Sequence, residues 1–166
     1  DWAGFAAEYP HYRMGDDREL RCYALALDHL NLGDLTPPTL AEEVRRNWYA
    51  LKDADDGCTL AADRLLEARL LQPADIWRKA RLAAQSNRPR MLRAAVEIVA
   101  PQALPDVNDV MAHPARYLAA HSTAPGQTRK QLLVLALTRL AASDPGKAAS
   151  VLDNKWGVHL SAEDRN

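Results

Sequence analysis

The chain has 166 residues, 48% of them apolar, and a formal net charge of −1 at pH 7. That length suits one domain, or a piece of a larger one, with room for a real core. So small a charge excludes a global field that would recruit nucleic acid or an anionic membrane surface. The apolar run LLVLAL at 132–137 is much too short to cross a bilayer.

Taken in order, nearly every segment reads as helix. DWAGFAAEYP places Trp2, Phe5, Ala6 and Tyr9 at helical spacing before Pro10. It shows no initiator Met, basic n-region or apolar h-region. A first full helix is expected from about Asp17 to Leu32, with Leu20, Tyr23, Ala24 and Leu27 on one face and Gly33 as its stop. In TPPTLAEEVRRNWYAL, Thr39 and Glu42 are spaced as a capping box, and Leu40, Val44, Trp48 and Leu51 form an apolar stripe. Residues 58–71 and 72–86 give the third and fourth helices, the latter with Pro73 in its first turn.

Pro89 opens the next helix, on which Leu92, Ala95, Val96 and Val99 share a face. Pro105 and Pro114 break the stretch from Pro101 to Ser122 into two short helices. The helix over Thr128–Ala142 is apolar on most sides, which predicts a place between neighbours. Asp144 or Ser143 caps the following one, with Pro145 in its first turn and Trp156 and Gly157 at its close. LSAEDRN then looks like a new start, Ser161 and Asp164 being placed as in a first turn. The expectation is a single all-α domain over 1–166 of about ten helices with antiparallel neighbours. Both ends look cut, as in a fragment of a longer chain.

A weak internal repeat supports an irregular helical-hairpin solenoid over a closed bundle. At an offset of 36, Cys22 meets Cys58, Pro37 meets Pro73, Leu30 meets Leu66, Leu40 meets Ile76 and Val44 meets Ala80. The register fades after about residue 90, and no tetratricopeptide consensus is present. In stacked helix pairs, alternate helices lie side by side, so equivalent positions come within disulfide range. On the residues alone two readings of the cysteines stand. They are small buried apolar side chains in a cytosolic protein, or a bridge in an exported one.

Catalytic signatures are missing: there is no Gly-rich phosphate loop, HExxH or nucleophile elbow. His11, His29, His113, His121 and His159 lack metal-ligand spacing, and no metal or other cofactor is expected. Asp53, Asp55 and Asp56 lack the alternating ligands of a calcium loop and read as a solvated turn. Arg78, Lys79, Arg81, Arg88, Arg90 and Arg93 crowd a stretch with no acid. Either they form a solvated face balanced by acids of adjacent helices, or a rim that holds carboxylates or phosphates. Of these, Arg88, Arg90 and Arg93 are the candidate ligand-binding residues. Trp48, Trp77 and Trp156 sit in apolar stripes and are expected in the core, with sugar stacking as the alternative.

Several segments resemble a known family. These are DWAGFAAEYP, the cysteine helix ELRCYALALDHLNLGD, and DGCTLAADRLLEARLLQPADIWRKARLAAQSNRPRMLRAAV, with a looser likeness in HPARYLAA and NKWGVHLSAEDRN. In order and spacing they are similar to the soluble lytic murein transglycosylases of Gram-negative bacteria. The likeness rests on helix-packing patterns, and the cysteine pair is its strongest single element. It implies a right-handed α-α superhelix, the U-shaped domain that curls beneath a lysozyme-like catalytic domain. That catalytic domain cleaves the MurNAc–GlcNAc bond of peptidoglycan by attack of the muramic acid C6 hydroxyl, giving 1,6-anhydro products. One glutamate of a Glu-Ser helix serves as acid and then base, unlike the carboxylate pair of most glycosidases. No segment here resembles that helix, so no catalytic residue carries over, and this chain is expected to be inactive alone.

The resemblance further implies a periplasmic location, a Cys22–Cys58 disulfide, and two partners: peptidoglycan and the family's catalytic domain. The competing class is a non-catalytic tetratricopeptide-like scaffold for a protein partner. A cytosolic helical-repeat regulator is a third.

Overall fold

The computed structural model describes residues 17–123 and 126–153. The Trp2–Tyr9 run, Trp156, Gly157, His11, His159 and the Ser161 start lie outside the described residues. Among the described residues every regular element is helical. In order they are α1 (Asp17–Leu32), a 3-10 turn (Gly33–Leu35), α2 (Pro38–Ala50), α3 (Gly57–Glu67), α4 (Pro73–Gln85) and α5 (Pro89–Val99). A 3-10 segment (Pro101–Asp106), α6 (Val107–Ala112), α7 (Pro114–Ala120), α8 (Gln127–Ser143) and α9 (Pro145–Val151) follow. Two compact units divide the chain, Asp1–Ile76 and Trp77–Asn166, with the boundary inside α4.

In the first unit α1 packs on both α2 and α3, and α2 also packs on α3. Contact with the next helix and the next but one is how helical hairpins stack, and the expected all-α hairpin class holds. The α1–α2 hairpin is antiparallel. Arg21 Nε donates to Glu43 Oε1 at 2.6 Å near one end, and His29 Nδ1 meets Thr36 Oγ1 at 2.6 Å near the other. The Thr36 hydroxyl donates to the Gly33 carbonyl at 2.7 Å, so its oxygen accepts from His29 Nδ1–H.

On α1 the deepest line is Cys22, Leu25 and Ala26, whereas Leu20, Tyr23, Ala24 and Leu27 are half-buried. The expected face is thus rotated. One helix pressed by two partners is covered over most of its girth, and its most buried line falls between them. On α2 the stripe of Leu40, Val44, Trp48 and Leu51 is buried as its spacing predicts. The capping box at Thr39 and Glu42 does not form. Helix α2 starts earlier, with Pro38 at its first position and Pro37 extended ahead of it, which leaves Thr39 inside the helix.

The 36-residue register is visible in the backbone. Gly33, after α1, has φ +54°, and Arg69, after α3, has φ +62°. Arg69 closes α3 with paired bonds, Leu70 N–H to Leu65 O at 2.9 Å and Arg69 N–H to Leu66 O at 3.0 Å. A residue other than glycine accepts left-handed geometry here because those bonds satisfy carbonyls that the helix end would otherwise leave open.

In the second unit α5 packs on the 3-10 segment and α6, α6 on α7 and α8, and α8 on α7 and α9. Leu92, Ala95 and Val96 are buried on α5, and Val99 is half-buried. Helix α8 buries Leu132 to Leu137 and Leu140, more than one face, because α6, α7 and α9 all rest on it. Asp144 caps α9 by accepting from Lys147 N–H at 3.1 Å, as its position before Pro145 predicts. The region of Pro101 to Ser122 contains a 3-10 segment ahead of the two short helices. Pro105 lacks the N–H that would continue an α ladder, and the tighter turn accommodates it.

The candidate functional site

Two places drew functional expectations, and they lie in different units. In the first unit, Cys22 on α1 and Cys58 at the start of α3 form a disulfide with Cα atoms 4.8 Å apart, and both residues are 0% exposed. One feature caps the start of α3 and two bring it that close to α1. Asp55 Oδ2 accepts from Cys58 N–H at 2.6 Å. Glu19 on α1 reaches across, its Oε1 accepting from Asp56 N–H at 3.2 Å and Gly57 N–H at 3.4 Å. Gly57 has no side chain to hold the helices apart. Two carboxylates therefore satisfy the open N–H groups of α3 and complement its dipole. This is the chemistry of the Asp53–Asp56 turn: capping, from Asp55 at least. Burial first, then Asp56, Glu19 and Asp55, push the neighbouring Tyr23 phenol above its usual range.

The second place is the basic run, all within the second unit. Lys79 is only 1% exposed, so the six residues do not share one solvent face. Arg81 is half-buried, while Arg78, Arg88, Arg90 and Arg93 are exposed. Asn87, with φ +56°, closes α4, and Arg88 N–H bonds Ala83 O at 2.9 Å. The chain then turns directly into α5 at Pro89. This places Arg88 just before α5 and Arg90 and Arg93 within it, Arg93 four positions ahead of Glu97. Trp48 and Trp77 are buried, which removes both from any sugar-stacking surface.

A third cluster escaped sequence reasoning. The Tyr117 hydroxyl on α7 donates to Asp106 Oδ2 at 2.7 Å. Arg129 on α8 donates Nη1–H to the same carboxylate oxygen and to the Tyr117 oxygen, each at 2.5 Å. Its guanidinium also lies 5.8 Å from the Tyr117 ring, which packs against His121 with centroids 4.3 Å apart. Burial foremost, then the Asp106 hydrogen bond, holds the phenol far above its ordinary range. The tyrosine stays neutral, and the trio pins the 3-10 segment to α7 and α8. Separations of 11, 12 and 23 residues leave no spacing signal in the sequence.

Among the described residues no group of three or more His, Cys, Asp or Glu is arranged to hold a metal. No helix among them is long and apolar enough to cross a membrane. No family model, curated protein or solved structure matches the chain.

Proposed function

We propose that this chain is a helical scaffold of an exported enzyme that cleaves peptidoglycan, the superhelical part of a soluble lytic murein transglycosylase. The observation that carries this reading is the sealed cross-link between α1 and α3, at the two cysteines where the resemblance expects it. A structural disulfide persists in oxidising compartments such as the periplasm and is rare in the cytosol. The packing of helical hairpins with buried tryptophans fits a support for another domain. On this reading the scaffold positions murein for a separate catalytic domain and contributes no reacting group. On this reading a longer polypeptide joins this scaffold to the catalytic domain, and the test incubates that polypeptide with purified sacculi and follows the products by mass spectrometry. Muropeptides ending in 1,6-anhydro-MurNAc are expected. Reducing MurNAc ends, or no release at all, would exclude the transglycosylase and leave an adaptor as the better reading.

Within that function Arg88, Arg90 and Arg93 form a carboxylate-binding rim for the peptide stems of peptidoglycan. Guanidinium groups suit this role because they stay charged and bind carboxylates in a fork. Exposure of all three supports it. Reversing them together to glutamate is expected to reduce retention of the chain on sacculi at low salt by roughly tenfold, about one charge-assisted hydrogen bond in free energy. Unchanged retention, with the helical spectrum intact, rules the rim out.

A further inference from the structure

Helices α3 and α4 end in the same way. Arg69 after α3 and Asn87 after α4 both stand at positive φ, +62° and +56°. In each case the next N–H reaches back into the last turn, Leu70 to Leu65 O at 2.9 Å and Arg88 to Ala83 O at 2.9 Å. The second bond of the motif differs. Arg69 N–H meets Leu66 O at 3.0 Å, whereas Asn87 N–H stands 3.4 Å from Ala84 O. The longer contact serves the Ala84 carbonyl poorly. Ala84 is fully enclosed, where an oxygen without a good donor is most costly.

Arg139 supplies that donor. From α8, 55 positions along the chain, its Nη1–H reaches Ala84 O at 2.9 Å. The side chain is half-buried, and among the described residues no carboxylate pairs with it. Its charge is therefore directed at the carbonyl end of α4, where the helix dipole favours a cation. Only Ser86, Asn87 and Arg88 separate α4 from α5. So short a connection passes the position of Ala84 on to Arg88 and to the first turn of α5, which carries Arg90.

We infer that Arg139 is a positioning residue, which completes the end of α4 from α8 and so holds the α4–α5 turn that presents Arg88 and Arg90. The end of α3 closes with its own backbone, but the end of α4 needs a side chain from a distant element. What this clamp serves rests on the carboxylate-rim reading, and the clamp itself does not.

Hydrogen exchange at the Arg88 amide tests the clamp, because that N–H is freed when the turn opens. Arg139→Ala is expected to speed it about tenfold, the loss of one charge-assisted hydrogen bond. The Lys147 N–H, bonded to Asp144 Oδ1 at the start of α9, should keep its rate. An unchanged rate at Arg88, or an equal acceleration at both amides, overturns the inference. If the alanine variant loses its helical spectrum, Arg139→Lys decides. A single ammonium in place of the guanidinium fork should still speed exchange at Arg88, and an unchanged rate again overturns the clamp. On sacculi at low salt, Arg139→Ala should also lower retention. Full retention, beside a loss in the variant with glutamate at Arg88, Arg90 and Arg93, overturns the positioning role. Full retention in both variants is instead the failure of the rim reading, and exchange at Arg88 then judges the clamp by itself.

Discussion

Replacing Cys22 and Cys58 together with alanine is expected to cost about 4 kcal/mol of stability. The figure is the loop-closure entropy of a 36-residue separation in the chain-entropy model. The native side of the balance adds a cavity cost at two fully enclosed positions, kept small because alanine fills most of the volume of a cysteine. Urea unfolding of the variant, against the oxidised parent, checks the size of the effect. A loss below about 1 kcal/mol would mean that α1 and α3 are held together by their other contacts in the unfolded ensemble as well. Enclosure also predicts how the bond behaves toward reductant. Dithiothreitol should leave it intact in the folded protein and cleave it promptly in denaturant, because the attacking thiolate must reach a sulfur atom.

Substituting Gly57 with alanine should cost about half as much, on the order of 2 kcal/mol. A Cβ at that position would stand 2.6 Å from the backbone oxygen of Glu19 and 2.9 Å from both Glu19 Cγ and Tyr23 Cδ2. A side-chain tip can swing aside, but the Glu19 carbonyl belongs to α1 and cannot move without it. Alanine has the better helix propensity by as much as about 1 kcal/mol, which opposes the clash without cancelling it. The expected outcome is a lower urea midpoint with an unchanged far-ultraviolet spectrum. A neutral or stabilising result would show that α1 and α3 do not approach so closely in solution. In the cysteine-free background the penalty should shrink, because α3 can then retreat from α1. Residues that share a contact lose additivity in this way.

Much of the architecture was legible because helix signals are local. Leu40, Val44, Trp48 and Leu51 on α2, the Gly33 stop and the Asp144 cap each need only a few neighbouring residues to be read. Errors arose where tertiary contact overrides spacing. Helix α1 has two partners, so its deepest line at Cys22, Leu25 and Ala26 reflects their joint position more than its own periodicity. The Thr39–Glu42 box was displaced by the stronger preference of Pro38 for a first helical position.

The candidate site was less readable still. The charge of the run from Arg78 to Arg93 is plain in the sequence, yet the burial of Lys79 within it is not. The Asp106–Tyr117–Arg129 trio joins three elements, and nothing in its spacing announces it. The residues alone left the cysteines either free or paired. Family likeness gave the pairing, and the structure supplies the Glu19, Asp55 and Gly57 setting that accommodates it.

Complete enclosure of the sulfur atoms has a consequence for how the molecule is made. An oxidant the size of an enzyme must reach a thiol directly, which it can do only while α1 and α3 stand apart. A molecule that collapsed early would lock its thiols in the reduced state, out of reach of later repair. For such an oxidant, covalent joining comes before dense packing.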